Sequence, residues 1–186
     1  MIFNKNYWEE KYKNGYTGWD IGTISAPMKE YFDQLENKDT KILIPGGGNG
    51  YEAEYLYALG FKNIYLLDWS ELALKNFSER AADFPVDNLL CENFFEHEGK
   101  YELILEQTFF CAISPGDRRK YAEKIYELLN EKGKLTGLFF DCDFNREEPP
   151  FGGTSVEYLK TCKYYLILNH VKNLHSEEHP WNTGSI

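Results

Sequence analysis

The chain has 186 residues, 42% of them hydrophobic, with a formal net charge of −10 and a pI near 4.9, a size that suits one domain around one core. With that acidic balance and no dense Lys/Arg cluster, a nucleic-acid partner is excluded, because phosphate binding needs a basic patch. No apolar run nears the roughly 20 residues of a membrane span, and no basic start leads into an apolar run and a cleavage site, so a soluble, cytoplasmic protein acting on small molecules is expected.

Residues 1–40 form an aromatic extension carrying Tyr7, Trp8, Tyr12, Tyr16 and Trp19, followed by a predicted helix from Pro27 to Leu35. From Lys41 onward, short apolar runs of β type alternate with helical patterns, so 41–186 should be an α/β core with a mostly parallel sheet covered by helices on both faces. The first strand is Lys41 to Pro45, and a helix from Tyr51 to Leu59 stops at Gly60. The second strand is Asn63 to Asp68. Ser70 then caps a helix whose inward face carries Leu72, Ala73 and Phe77. A third strand is expected at Val86 to Cys91 and a fourth at Tyr101 to Glu106. Ser114, Pro115 and Asp117 open the next helix, which Gly133 should end. The fifth strand is Leu135 to Phe140, residues 147–153 form a loop, and the sixth strand is Tyr164 to Val171. A seventh strand finds no apolar run before Ile186, so the sheet looks cut short.

Cys91, Cys111, Cys142 and Cys162 lie far apart without the close Cys/His pairing of a zinc site, and reduced, buried thiols are expected. The four histidines are equally scattered, so no metal is assigned.

Between the first strand and its helix runs Gly46-Gly47-Gly48-Asn49-Gly50. Without side chains the backbone there can turn tightly and approach a ligand. Asp68, at the tip of the neighbouring strand, is placed to accept from two ribose hydroxyls, and ligands of open parallel sheets collect at these carboxyl ends. Two nucleotide cofactors fit this pattern. Gly48-Asn49-Gly50-Tyr51-Glu52-Ala53 matches the dinucleotide fingerprint G-x-G-x-x-G/A with an acid at suitable distance, and periodicity does not separate NAD from an adenosyl ligand. A dehydrogenase would also need a second nucleotide-binding half, for which 186 residues leave little room.

Longer segments carry a resemblance. Trp8-Glu9-Glu10-Lys11-Tyr12 through Gly15, Thr17, Gly18, Trp19, Asp20 and Gly22 is similar to the signature W-x-x-x-[WY]…G-x-T-x-[WF]-D-x-G, and Ile44-Pro45-Gly46-Gly47-Gly48 to a P-G-C-G turn. Tyr101 to Ile113, with Pro115-Gly116-Asp117-Arg118 behind it, is similar to D-L-I-x-D-x-x-F-F-C-A-I…P-x-x-R, and Pro149-Pro150-Phe151 to a P-P-[FY] loop. Over nearly its full length the chain thus resembles the thiopurine S-methyltransferase-like superfamily, which includes plant-type thiol and halide methyltransferases.

The resemblance implies a Rossmann-like class I methyltransferase that uses S-adenosylmethionine, with a small thiol as methyl acceptor; the acidic balance and the absence of coiled-coil heptads favour a monomer. Trp8, Tyr12 and Trp19 would fold over the cofactor, where aromatic faces attract a sulfonium. Gly46 and Gly48 would sit at its methionine part, Asp68 and Trp69 at the ribose, Asn93 and Phe94 at the adenine, and Glu106 and Gln107 at the methionine and acceptor ends. Arg118 would be the acceptor-side catalytic cation. This chain departs from the pattern with Asn93 and Glu106 where Asp is usual, Gly47 for Cys and Gln107 for Tyr. Oxygen or nitrogen methylation, with Asp141 or Asp143 as base, and cofactor binding without turnover are the alternative functions.

Overall fold

The computed structural model describes residues 3–162. Their five strands, β1 (Ile42–Pro45), β2 (Ile64–Asp68), β3 (Leu89–Cys91), β4 (Tyr101–Gln107) and β5 (Leu129–Leu138), form one sheet in the order β3-β2-β1-β4-β5, and every pairing is parallel. The chain winds outward from β1 to β3, then crosses back to β4, so a crevice opens where the winding reverses.

Burial alternates along the strands as the two-residue pleat requires. Ile42, Ile44, Ile64, Leu66, Leu103 and Leu105 face one core, and Leu43, Leu67 and Ile104 the other. The first core is closed by α2 (Ala26–Phe32), α3 (Tyr51–Ala58) and α4 (Glu71–Arg80), the second by α5 (Arg118–Leu128). Helices on both faces of a parallel sheet make the three-layer α/β sandwich. Met28 and Phe32 of α2 are fully in the first core, so of residues 3–40 the stretch over the crevice is α1 (Lys5–Lys13) with the turns after it.

Ser70 caps α4 as expected, its Oγ accepting from Ala73 N at 3.1 Å, although Leu74 rather than Leu72 joins Ala73 and Phe77 in the core. Several boundaries differ from expectation: β5, expected at Leu135 to Phe140, spans Leu129–Leu138, and α2, expected to run from Pro27 to Leu35, is Ala26–Phe32. Val86–Asn88 is a 3-10 turn and only Leu89–Cys91 pairs with β2, because Val86 is 74% exposed and has no apolar face to bury. The helix expected to end at Gly133 ends at Leu128, where Lys100 Nζ donates to Glu127 O at 2.7 Å and Leu129 O at 3.1 Å. A lysine thus satisfies terminal carbonyls that a glycine cap would otherwise serve. Gly133 instead lies in the irregularity between the Tyr101↔Leu129 and Leu103↔Lys134 pairings, where a Cβ would fall 2.8 Å from Tyr101 O.

Cys111 is buried, but Cys91 and Cys142 are exposed free thiols, correcting the expectation of buried cysteines. The last helix described is α6 (Ser155–Cys162). The expected sixth strand, Tyr164 to Val171, and the stretch where a seventh was sought lie outside the described residues. No described helix is long and apolar enough to cross a membrane.

Candidate active site

A crevice of about 1180 Å³ runs over the carboxyl ends of the strands, above the upper end of the roughly 300–1,000 Å³ usual for small-molecule sites. Its floor is the set of strand tips. Glu92 to Phe95 follow β3, Asp68 and Trp69 end β2, Gly46 to Asn49 follow β1, Gln107 to Phe109 end β4, and Phe140, Phe144 and Arg146 follow β5. Its roof is α1 with the turns behind it, supplying Tyr7, Trp8, Tyr12, Trp19 and Asp20.

The glycine turn is built for close approach. Gly46 has φ +59° and a Cβ there would fall 2.1 Å from the Phe109 ring; Gly48 has φ +54° and its Cβ would meet Tyr12 Oη at 2.5 Å. Both positive φ values and both contacts demand glycine. Asp68 is buried, its Oδ2 accepting from Gly48 N and its Oδ1 from Ser70 N, both at 2.8 Å. Burial pushes this carboxyl's pKa up while the Ser70, Gly48 and Trp69 amides pull it back. An ionised carboxylate offers about four acceptor positions, and with the Gly48, Ser70 and Trp69 amides directed at it capacity remains for a ribose hydroxyl. The residues therefore suit an adenosyl cofactor on two observations of this structure, a side-chain-free cradle and an acid with acceptor capacity to spare.

The roof is tied down at both ends. Glu9 accepts from Ser70 Oγ at 2.7 Å, Lys5 pairs with Glu71, and Asn49 of the glycine turn donates to Asp20. Trp19 stands edge-on to Trp8 and Tyr12, at 5.6 and 5.8 Å between ring centroids.

Of the residues expected in the site, Trp8, Tyr12, Trp19, Gly46, Gly48, Asp68, Trp69, Asn93, Phe94 and Gln107 all line the crevice. Asn93 is partly committed, accepting from Phe95 N and donating to Glu96, each at 3.0 Å; one lone pair of its oxygen remains. Phe94 is 3% exposed and packs on Phe109 and Tyr121, so it serves the second core as well as the crevice wall. Gln107 accepts from Ser25 Oγ at 2.7 Å.

Glu106 is a correction. It is fully buried and outside the crevice lining, with Oε1 accepting from Phe109 N (2.9 Å) and Phe110 N (2.7 Å) and Oε2 from Tyr121 Oη (2.8 Å). Its carboxylate closes the turn after β4, and burial pushes its pKa up to about 7.

Arg118 is the second correction. Its side chain is 3% exposed and does not line the crevice. It lies under Phe110 and Tyr158 and donates to Glu157 Oε1 and Gly152 O, both at 2.7 Å. Helix α5 turns this residue toward α6 and the 147–153 loop, so it braces the structure. Arg118→Ala should lower the thermal midpoint, with a cost of about 1–3 kcal/mol because Glu157 stays in water when its partner goes. Cofactor affinity measured calorimetrically should stay within about twofold, since the cost lies in packing; a loss of turnover without loss of stability would return Arg118 to the chemistry.

Several crevice residues escaped the sequence reading: Asp20, Glu52, Glu92, Phe144 and Arg146. Only Asp20 and Glu52 stood inside quoted motifs, and nothing local marked them as functional. Asp141 and Asp143 accept from Ser155 N and Asn145 N and do not line the crevice, so as bases they are misplaced.

The thiopurine S-methyltransferase family model matches residues 3–180. An Arabidopsis thaliana protein named probable thiol methyltransferase 2 is 30% identical over 158 residues, covering 82% of this chain and 70% of that protein. Brassica oleracea thiocyanate methyltransferase 1 is 27% identical over 183 residues, covering 96% and 79%. Among solved structures, Burkholderia thailandensis 1,6-didemethyltoxoflavin-N1-methyltransferase, with its substrate and S-adenosylhomocysteine bound, superposes with a TM-score of 0.70 at 16% identity, covering 87% of this chain and 75% of that one. Magnesium protoporphyrin IX methyltransferase of Synechocystis PCC 6803, with S-adenosylmethionine bound, gives 0.66 at 11%, covering 87% and 84%; at these identities the likeness is one of fold. With the family model matched across residues 3–180, the chain belongs to the thiopurine S-methyltransferase family and is a class I methyltransferase dependent on S-adenosylmethionine.

Proposed function

We propose that this enzyme methylates a small thiol or other anionic sulfur nucleophile. The observation that carries the reading is the crevice's polarity along the sheet: Asp68 and the glycine turn over β2 and β1, and a wall of Phe140, Phe144, Pro149 and Pro150 with Arg146 beyond β5. Soft, polarisable sulfur suits aromatic and proline walls, and a nearby cation stabilises a thiolate whose free thiol has a pKa near ~8.5. The names of the two plant relatives support the same acceptor class.

When bound, the cofactor supplies an electrophilic methyl group on a sulfonium. Asp68 holds the ribose, while Glu92, Asn93 and Phe94 frame the adenine. Trp8, Tyr12 and Trp19 cover the cofactor, shed water and present ring faces to positive charge, each contributing about 0.5–2 kcal/mol when desolvated. The wall after β5 would hold the acceptor on the β4–β5 side of the crevice, and such positioning can supply up to roughly 7–11 kcal/mol of barrier reduction. Arg146 keeps the nucleophile ionised, so no dedicated base is required.

In this reading residues 1–40 form the lid and its anchor, 41–186 the catalytic core, and the enzyme works as a cytoplasmic monomer. The test is formation of S-adenosylhomocysteine with alkyl thiols, bisulfide and thiocyanate, set against catechols and amines. Turnover of sulfur acceptors is expected; turnover confined to oxygen or nitrogen acceptors, or cofactor binding with no turnover, would contradict the reading.

A further inference from the structure

The acidic corner where α3 begins, beside the glycine turn, has no cationic partner among the described residues. Glu52 lies in the first turn of α3, is 9% exposed and lines the crevice. Its only hydrogen bond among the described residues is from its own backbone amide, and no described Lys or Arg pairs with it. Its acidic neighbour Asp20 is already engaged, with Gly22 N donating to Oδ1 at 2.7 Å and Asn49 Nδ2 to Oδ2. A buried carboxylate without a cation is costly, and burial together with Asp20 pushes Glu52 up to about 7.

The sheet order says what faces this corner. An extended cofactor with its adenine over β3 and its ribose on Asp68 of β2 must lay its next portion, the amino-acid end, over β1, whose tip leads through the glycine turn into α3. Neighbouring strands are about 4.8 Å apart, which matches the step from one chemical unit of the ligand to the next. Of the two charged groups at that end, the carboxylate would be repelled by Glu52 and Asp20 and the primary ammonium attracted.

We propose that Glu52, with Asp20 beside it, is the seat of the cofactor's primary ammonium, and that this corner selects adenosyl ligands carrying the amine. The inference rests on the methyltransferase reading and extends it to a specificity-determining residue. The carboxylate accepts charge-assisted hydrogen bonds from the ammonium and regains the counter-charge that folding denies it.

The test is calorimetric titration of the full chain and of Glu52→Gln with S-adenosylhomocysteine, its analogue with hydrogen replacing the amine, and 5′-methylthioadenosine. The full chain should bind S-adenosylhomocysteine at least about tenfold more tightly than the amine-free analogue. Glu52→Gln should bind those two alike and methylthioadenosine as the full chain does, with a thermal midpoint no lower, because a buried charge has been removed. Equal weakening of all three ligands, or a full chain indifferent to the amine, would overturn the assignment; the second comparison decides even if the variant does not fold. A full chain that binds none of the three would overturn the methyltransferase reading together with it.

Discussion

Asp68→Ala should weaken S-adenosylhomocysteine binding by at least about tenfold, because a hydrogen bond to a charged acceptor contributes about 1.5–3 kcal/mol. The same carboxylate fixes Gly48 N and Ser70 N at 2.8 Å, so the substitution also releases the glycine turn and the first residue before α4. Asp68→Asn should fall between, since its amide nitrogen must face one of those two N–H donors and cannot accept from it. Calorimetry reads the affinity. Thermal unfolding separates the two effects, because release of the Gly48 and Ser70 amides lowers the ligand-free midpoint, whereas loss of the ribose contact shows only when ligand is present. Retention of full affinity by Asp68→Ala would remove the ribose assignment.

Glu106→Leu should be the most destabilising single change beneath the crevice. It strips the acceptor from Phe109 N, Phe110 N and Tyr121 Oη together, and each buried donor left unsatisfied costs about 1–3 kcal/mol. Against a total stability of about 5–15 kcal/mol, that leaves little folded protein at growth temperature. Glu106→Gln keeps an oxygen for the two amides and should cost far less. The acid also has a pH signature. Burial raises its pKa in the folded state to about 7 from the usual 4.5 of a glutamate, so the folded state holds the proton more tightly. Its contribution to stability is therefore complete below about 4.5 and is lost as pH rises through about 7. Glu52, raised to about 7 as well, adds the same sign. Scanning calorimetry of the ligand-free enzyme should show a midpoint that climbs from pH 8 to pH 5.5, with a smaller climb in Glu106→Gln. A midpoint that falls over this range would mean that neither acid is held as described.

What could be read from the residues was whatever leaves a one-dimensional trace. The runs ILIP, IYLLD and YELILEQ became β1, β2 and β4 because strands buried on both faces read as continuous apolar runs. Ser70 caps its helix through a bond three residues away, a range at which sequence is informative. The glycine turn and Asp68 were legible for the same reason, being adjacent to strand ends that were themselves legible. Arg118 and Glu106 were misread because burial of a charged side chain is decided by residues 39 positions away in one case and 15 in the other, Glu157 and Tyr121. Their motif positions fixed where they sit on the backbone and left open which way they face. The end of α5 was missed because its cap is the side chain of Lys100, 27 residues earlier than the carbonyl of Glu127. Glu52 stood at an unspecified position of the glycine motif and Arg146 in no motif. They become visible only once the strand tips are assembled into a crevice.

The central claim is that the crevice over the tips of β1 and β2 grips an adenosyl ligand beneath the aromatic lid. A crystal structure with S-adenosylhomocysteine tests it most directly. The account predicts a ribose hydroxyl within hydrogen-bonding distance of the Asp68 carboxylate, with the amino-acid end beside Gly46, Gly48 and Glu52. A ligand lodged elsewhere, or ribose hydroxyls turned away from Asp68, would contradict it.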